Sequence, residues 1–147
     1  MKYDHKYAYE DNYFSQIYVM PIVYTNGSIC LRTLYRDKDW LFHESVSLRA
    51  GGKIIKSAVI PVYSRNNIEM QDKAMGGIKE ELHFLEGQDN GIIEAISNCN
   101  ESDYVSVRFD GRNDSKIITL SPREIRATKD CLELSMGLKA LNLKSVH

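Results

Sequence analysis

The chain predicts an α+β fold: a mostly antiparallel sheet built from hairpins, packed against a long C-terminal helix. Three observations predict it. Apolar residues alternate at period two in short runs between Gln16 and Leu120. Turn dipeptides, among them Asn26-Gly27 and Gly51-Gly52, separate those runs. From Pro122 onward the period changes to that of a helix, so the strands come first and a terminal helix closes the domain.

Residues 1–15 are polar and tyrosine-rich, with Tyr3, Tyr7, Tyr9 and Tyr13 among charges. They read either as a flexible arm or as one that docks its rings on the domain or a neighbour; partial order is favoured, because tyrosine buries much area at low entropic cost. Residues 16–147 read as a single α+β domain. Gln16–Tyr24 is strand-like, and Pro21 confines it to a sheet edge or a bulge. Asn26-Gly27 predicts a type I′ hairpin turn, which needs positive φ twice. The return strand, Ser28–Tyr35, puts Ile29, Leu31, Thr33 and Tyr35 on one face.

After the charged turn Arg36–Asp39, the run Trp40–Arg49 alternates. Trp40, Phe42, Val46 and Leu48 point one way; Leu41, His43, Ser45, Ser47 and Arg49 point the other. Glu44 interrupts the apolar row. Gly51-Gly52 turns the chain into a second β-rich run, Lys53–Tyr63, so that two successive hairpins form a meander. Ser64–Gly77 reads as a long polar loop. Ile78–Leu85 reads as a strand with Ile78, Glu80, Leu82 and Phe84 on one face, a helix being the alternative. Ile92–Cys99 is a short helix with Ile92, Ile93 and Ile96 inward. Tyr104–Asp110 is a strand with Val105, Val107 and Phe109 on one face, and Lys116–Leu120 returns from it.

The last helix is predicted from Pro122 to about Asn142. Ser121 is its N-cap, Pro122 sits at N1 where no amide donor is needed, and Glu124 at N3 completes a capping box. It carries two apolar stripes. Ile125, Leu132, Met136 and Leu143 form one, expected to cover the sheet. Ala127, Cys131, Leu134, Leu138 and Leu141 form the other. A helix with two apolar faces needs two covers. For Cys131, Leu134, Leu138 and Leu141 the expected cover is a second copy of the chain, most simply in a two-fold dimer. The competing cover is another part of the same chain, such as the 92–99 helix or the tyrosine arm.

Composition narrows the function classes. At 147 residues, 43% hydrophobic and 27% charged, the chain is an ordinary globular domain with room for a sizeable core. A net charge of -1 supplies no bulk attraction to nucleic acid or to an anionic membrane. No apolar run approaches the ~20 residues of a membrane span. The charged start Met1–Lys6 lacks the apolar core of a signal peptide, so a cytoplasmic location is expected. Cys30, Cys99 and Cys131 are odd in number, widely spaced and without a Cys-x-x-Cys pair, which reads as reduced thiols and no metal knuckle.

Two clusters carry candidate chemistry. On the polar side of the 40–49 strand, His43, Ser45, Ser47 and Arg49 project at period two. Tyr104, Ser106 and Arg108 do the same on the 104–110 strand. Were the faces to adjoin, they would form a platform of hydroxyls, an imidazole and two guanidinium groups suited to an anionic ligand. A plain solvated sheet face is the competing reading. The second cluster is Glu80, Glu81 and His83. On a strand Glu81 and His83 share a face, which allows an acid–base or metal-dependent hydrolytic role, but no His-x-x-x-His or His-Glu-x-x-His pattern accompanies them. Gly51-Gly52-Lys53 lacks the spacing of a phosphate loop and is turn chemistry. The strand end Arg108, Asp110, Gly111 and Arg112 reads as a hairpin with solvated charges.

Asp39-Trp40-Leu41-Phe42, Gly51-Gly52-Lys53, Val105-x-Val107-Arg108-Phe109-x-Gly111 and Leu120-Ser121 together resemble a pattern in small uncharacterised bacterial proteins. The resemblance spans residues 37–141 and implies a strand-rich module closed by a helix; it brings no family name and no catalytic residues. The expectation is therefore a small non-enzymatic binding or interaction module without cofactor or metal. It would be homo-oligomeric, sequestering an anionic small ligand or inhibiting a partner protein in the manner of a phage-type inhibitor. A metal-dependent hydrolase using Glu81 and His83, and a structural subunit of a larger assembly, are the alternatives.

Overall fold

The computed structural model describes residues 16–62, 67–72 and 77–146; the tyrosine-rich arm lies outside them. In chain order the elements are β1 (Gln16–Val23), β2 (Ile29–Asp37), β3 (Ser45–Ala50), β4 (Lys53–Lys56), β5 (Asn67–Asp72), β6 (Gly77–Phe84), α1 (Ile92–Ser97), β7 (Val105–Asp110), β8 (Ser115–Thr119) and α2 (Pro122–Val146). The class is α+β, with every strand pairing antiparallel.

The strands divide into two four-stranded sheets, ordered β1-β2-β6-β5 and β4-β3-β7-β8. This replaces the expected meander: the β1–β2 hairpin belongs to the first sheet and the β3–β4 hairpin to the second. One buried cluster draws on both. Ile29, Leu31, Tyr35, Leu82 and Phe84 come from the first sheet and Val46, Leu48, Val105, Val107 and Phe109 from the second. Ile92, Ile93 and Ile96 of α1 and Ile125 of α2 join the same cluster. In β2, β6 and β7 the apolar row that alternation predicts is buried, and parts of the opposite row are buried with it, among them Cys30, Leu34, Glu81 and Ser106.

Pro21 is accommodated as expected, since β1 is an edge strand whose outer side owes the sheet no amide. The β1–β2 turn differs in kind. Only Gly27 has positive φ (93°), and Gly27 N–H bonds to Tyr24 O at 2.9 Å. The loop is the three-residue type closed by a left-handed glycine, not a two-residue type I′ turn. Beyond Lys56 the β-rich run is irregular through residue 62. It is tied down by Ser57 N–H to Val46 O and Ile60 N–H to Glu44 O. The expected 64–77 loop contains β5, which pairs with β6 at the sheet edge.

The start of α2 is as predicted. Ser121 Oγ accepts from Glu124 N–H at 3.1 Å, and Glu124 Oε1 accepts from Ser121 N–H at 2.7 Å. Farther along, the seated line of the helix is Ile125, Thr128, Ser135 and Asn142, flanked by half-buried Cys131, Leu132 and Leu138. Ser135 Oγ donates to Gly27 O at 2.5 Å and Asn142 Nδ2 donates to Asn26 O at 2.8 Å. The helix therefore docks on the β1–β2 turn through polar bonds. Its two apolar stripes become flanks of that contact, with Met136 and Leu143 exposed on one side and Leu134 and Leu141 on the other. The first stripe covers the core only at Ile125 and Leu132.

Candidate functional site

The platform drawn from the 40–49 and 104–110 segments exists on the outer face of the second sheet, in a form set by the β3–β7 register. Ser47 pairs with Arg108, and Arg49 with Ser106. Side chains directly opposite in an antiparallel pair stand on the same face about 5 Å apart, and diagonal neighbours about 7 Å apart. The four residues thus form a square with guanidinium groups on one diagonal and hydroxyls on the other. Ile54 of β4 lies opposite Arg49, and Ile117 of β8 opposite Arg108. Tyr104 continues the β7 row. Together they line a hollow of about 240 Å³, with Ile54, Ile117 and Tyr104 exposed on its margin.

The polar partners on this face are unevenly used. Asp110 Oδ2 accepts from Ser45 Oγ (3.2 Å) and Ser47 Oγ (2.8 Å), and Arg108 Nε donates to Asp110 Oδ1 at 2.6 Å. Asp110 thereby engages Ser45 and Ser47 and orients the Arg108 guanidinium, whose terminal nitrogens have no partner among the described residues. Arg49 and the Ser106 hydroxyl likewise have none there. Ser45 is buried on this face but does not line the hollow.

His43 is not part of the platform. It lies on the core side, 1% exposed, because the chain from 38 to 44 is not a strand. Phe42 adopts a left-handed conformation (φ 54°) with its ring stacked on Trp40 at 5.2 Å, and this reverses the expected alternation before β3 begins at Ser45. Glu80, from β6 of the other sheet, holds the reversal in place. Its Oε2 accepts from the Leu41 and Phe42 amides (2.7 and 2.8 Å), and its Oε1 accepts from the His43 amide (2.9 Å) and faces His43 Nδ1 at 3.0 Å. With the proton on Nδ1, His43 Nε2 takes the Thr33 hydroxyl at 2.9 Å, and every polar atom of the group is satisfied. Burial acts to raise the Glu80 pKa, but the donors from His43 and the three amides outweigh it and hold the carboxyl below its ordinary value. The alternation that put Glu80 on the apolar row of its strand was the sequence signal for this buried anion.

Glu44, the interruption in the apolar row, is half-buried and accepts from Val62 N–H at 2.9 Å, with Arg112 3.6 Å away. Glu81 and His83 do share a face, with His83 Nε2 2.6 Å from Glu81 Oε2. Arg32 occupies the same carboxylate through two bonds of 3.0 and 3.3 Å, and Lys79 stands at 3.5 Å. Burial pushes the Glu81 carboxyl up, but the Arg32 and His83 hydrogen bonds and the Arg32 and Lys79 charges bring it down to about 2. Two fixed cations at the carboxylate disfavour a metal ion there. Among the described residues, no group of three or more His, Cys, Asp or Glu side chains could hold one.

The three cysteines are free, and burial raises each thiol above its ordinary pKa, which leaves little thiolate for nucleophilic work. On α2, Cys131 and Leu138 are half-buried while Leu134 (54%) and Leu141 (62%) stay exposed. No helix among the described residues is long and apolar enough to cross a membrane. No protein-family model, curated protein or solved structure matches the chain.

Proposed function

We propose that this protein is a small non-enzymatic binding module of the cytoplasm that sequesters an anionic ligand on the outer face of its second sheet. One observation carries the reading: Arg49, the Ser106 hydroxyl and the terminal nitrogens of Arg108 converge on one hollow with no partner of their own among the described residues. Arg49 has no ion-pair partner among the described residues, while Arg108 is held by Asp110 through Nε alone, so an anion would neutralise Arg49 and take up the terminal nitrogens of Arg108. Lys56, opposite Ser47 on β4, adds a third cation to the same face. Among the described residues of that face Asp110 is the one acid against these three cations, which leaves two positive charges over.

Self-association through α2 is the second part of the proposal. Cys131, Leu134, Leu138 and Leu141 follow a three-four-three spacing, the a/d pattern of a helix seam, and Leu134 and Leu141 are open to a second copy.

Thermal melting with inorganic phosphate, pyrophosphate and sulfate tests the anion site. A ligand at about a hundred times its Kd stabilises the folded state by about 2.7 kcal/mol, enough to raise Tm by several degrees. The rise should vanish in Arg49→Ala, whose own Tm should match the parent because Arg49 is exposed and has no hydrogen-bond partner among the described residues. If no anion shifts the parent, the reading is wrong.

A further inference from the structure

Resting on that anion site, we infer that the ligand is a phosphate monoester joined to a flat ring, of the mononucleotide class. The donor set selects phosphate over carboxylate. One arginine fork already saturates the two oxygens of a carboxylate, whereas here two guanidinium groups on a diagonal, with the Ser106 hydroxyl at a third corner, address three acceptors. A phosphate monoester presents three terminal oxygens and a charge of about −1.5 to −2 near neutral pH, which matches the two unbalanced cations of this face.

The rest of the ligand is read from what flanks the square. Tyr104 lies two residues before Ser106 along the strand direction, about 7 Å away on the same face, and the residue is 68% exposed. Ile54 borders the same end, opposite Arg49. An exposed tyrosine ring on the margin of the hollow is a stacking surface for a planar group, and Ile54, across β3 on the same margin, adds apolar area. Its distance from the guanidinium square suits a ring separated from the phosphate by a short spacer such as a sugar. The hollow of about 240 Å³ holds a ligand of that size only in part, so the ring would lie over Tyr104 on the rim. A long polyanion is disfavoured by the net charge of -1.

Calorimetry on the full chain separates the two claims, with inorganic phosphate, ribose 5-phosphate, the four nucleoside monophosphates and a glutamate-rich peptide as probes. At least one nucleoside monophosphate should bind roughly ten-fold more tightly than ribose 5-phosphate. Tyr104→Ala should erase that difference while leaving ribose 5-phosphate binding intact. Equal affinity for nucleotide and sugar phosphate, with phosphate still bound, overturns the ring while the anion site stands. Tighter binding of the acidic peptide than of any phosphate overturns the ligand class in favour of a protein partner. Failure of every anion to bind removes the site itself.

Discussion

Glu80 concentrates four donors on one carboxylate that is 1% exposed, and the three amides it accepts belong to consecutive residues of the segment entering the other sheet. An uncompensated anion in that position would cost several kcal/mol; with its donors in place it becomes a clasp between the sheets. Glu80→Gln keeps the shape but turns an NH2 group toward N–H donors. It should lower the unfolding free energy by about 3 kcal/mol, read from the urea midpoint at unchanged slope. A loss below about 1 kcal/mol would mean that the clasp is incidental. Arg49 is the opposite case: its donors have no partner among the described residues, so its replacement should leave the urea midpoint unchanged and, under the proposed function, cost only anion binding.

At the level of elements, the informative contact is α2 on the β1–β2 turn. A Cβ on Gly27 would meet Lys139 Cγ at 2.6 Å and the Lys139 backbone nitrogen at 2.8 Å, at a φ of +93°. Gly27→Ala should therefore cost more than about 1 kcal/mol and loosen the helix from Ser135 onward, seen as faster amide exchange there than in α1. Uniform exchange would show that the turn does not seat the helix. This contact also explains what could be read beforehand. The capping box of Ser121 and Glu124 is local chemistry and was legible, as were the buried rows of β2, β6 and β7. The type of the Asn26-Gly27 turn was not, because the same dipeptide serves both a two-residue type I′ turn and a three-residue loop closed by a left-handed glycine. The division into two sheets was hidden for a related reason: hairpin signals report neighbours in sequence and are silent about which sheet each hairpin joins. His43 was misplaced because one left-handed residue, Phe42, undoes an alternation that otherwise looks continuous. Ser47, Arg49, Ser106 and Arg108 came together because strict period two holds from Ser45 and from Val105.

For the molecule as a whole, the distribution of apolar surface bears on assembly. The core is closed within the chain around both sheets and α1, yet α2 leaves four large apolar side chains outside it, Leu134, Met136, Leu141 and Leu143. They lie on opposite flanks of the docked line, so no shift of the helix within its own chain could bury both pairs. Heptad spacing and half-burial single out the Cys131–Leu134–Leu138–Leu141 flank. Its inner members are half-buried against the domain, and its outer members continue the same row on the exposed side, where the proposed second copy would pack. A dimer built there predicts a Tm that rises with protein concentration and a doubled mass in sedimentation equilibrium. Leu134→Glu sets a charge at the centre of the proposed seam on a residue 54% exposed in the single chain. It should yield monomer with near-parental secondary structure and a Tm that no longer depends on concentration. Leu143→Glu, on the other flank, should leave the dimer intact; a dimer that survives Leu134→Glu but not Leu143→Glu would move the interface to the Met136 side.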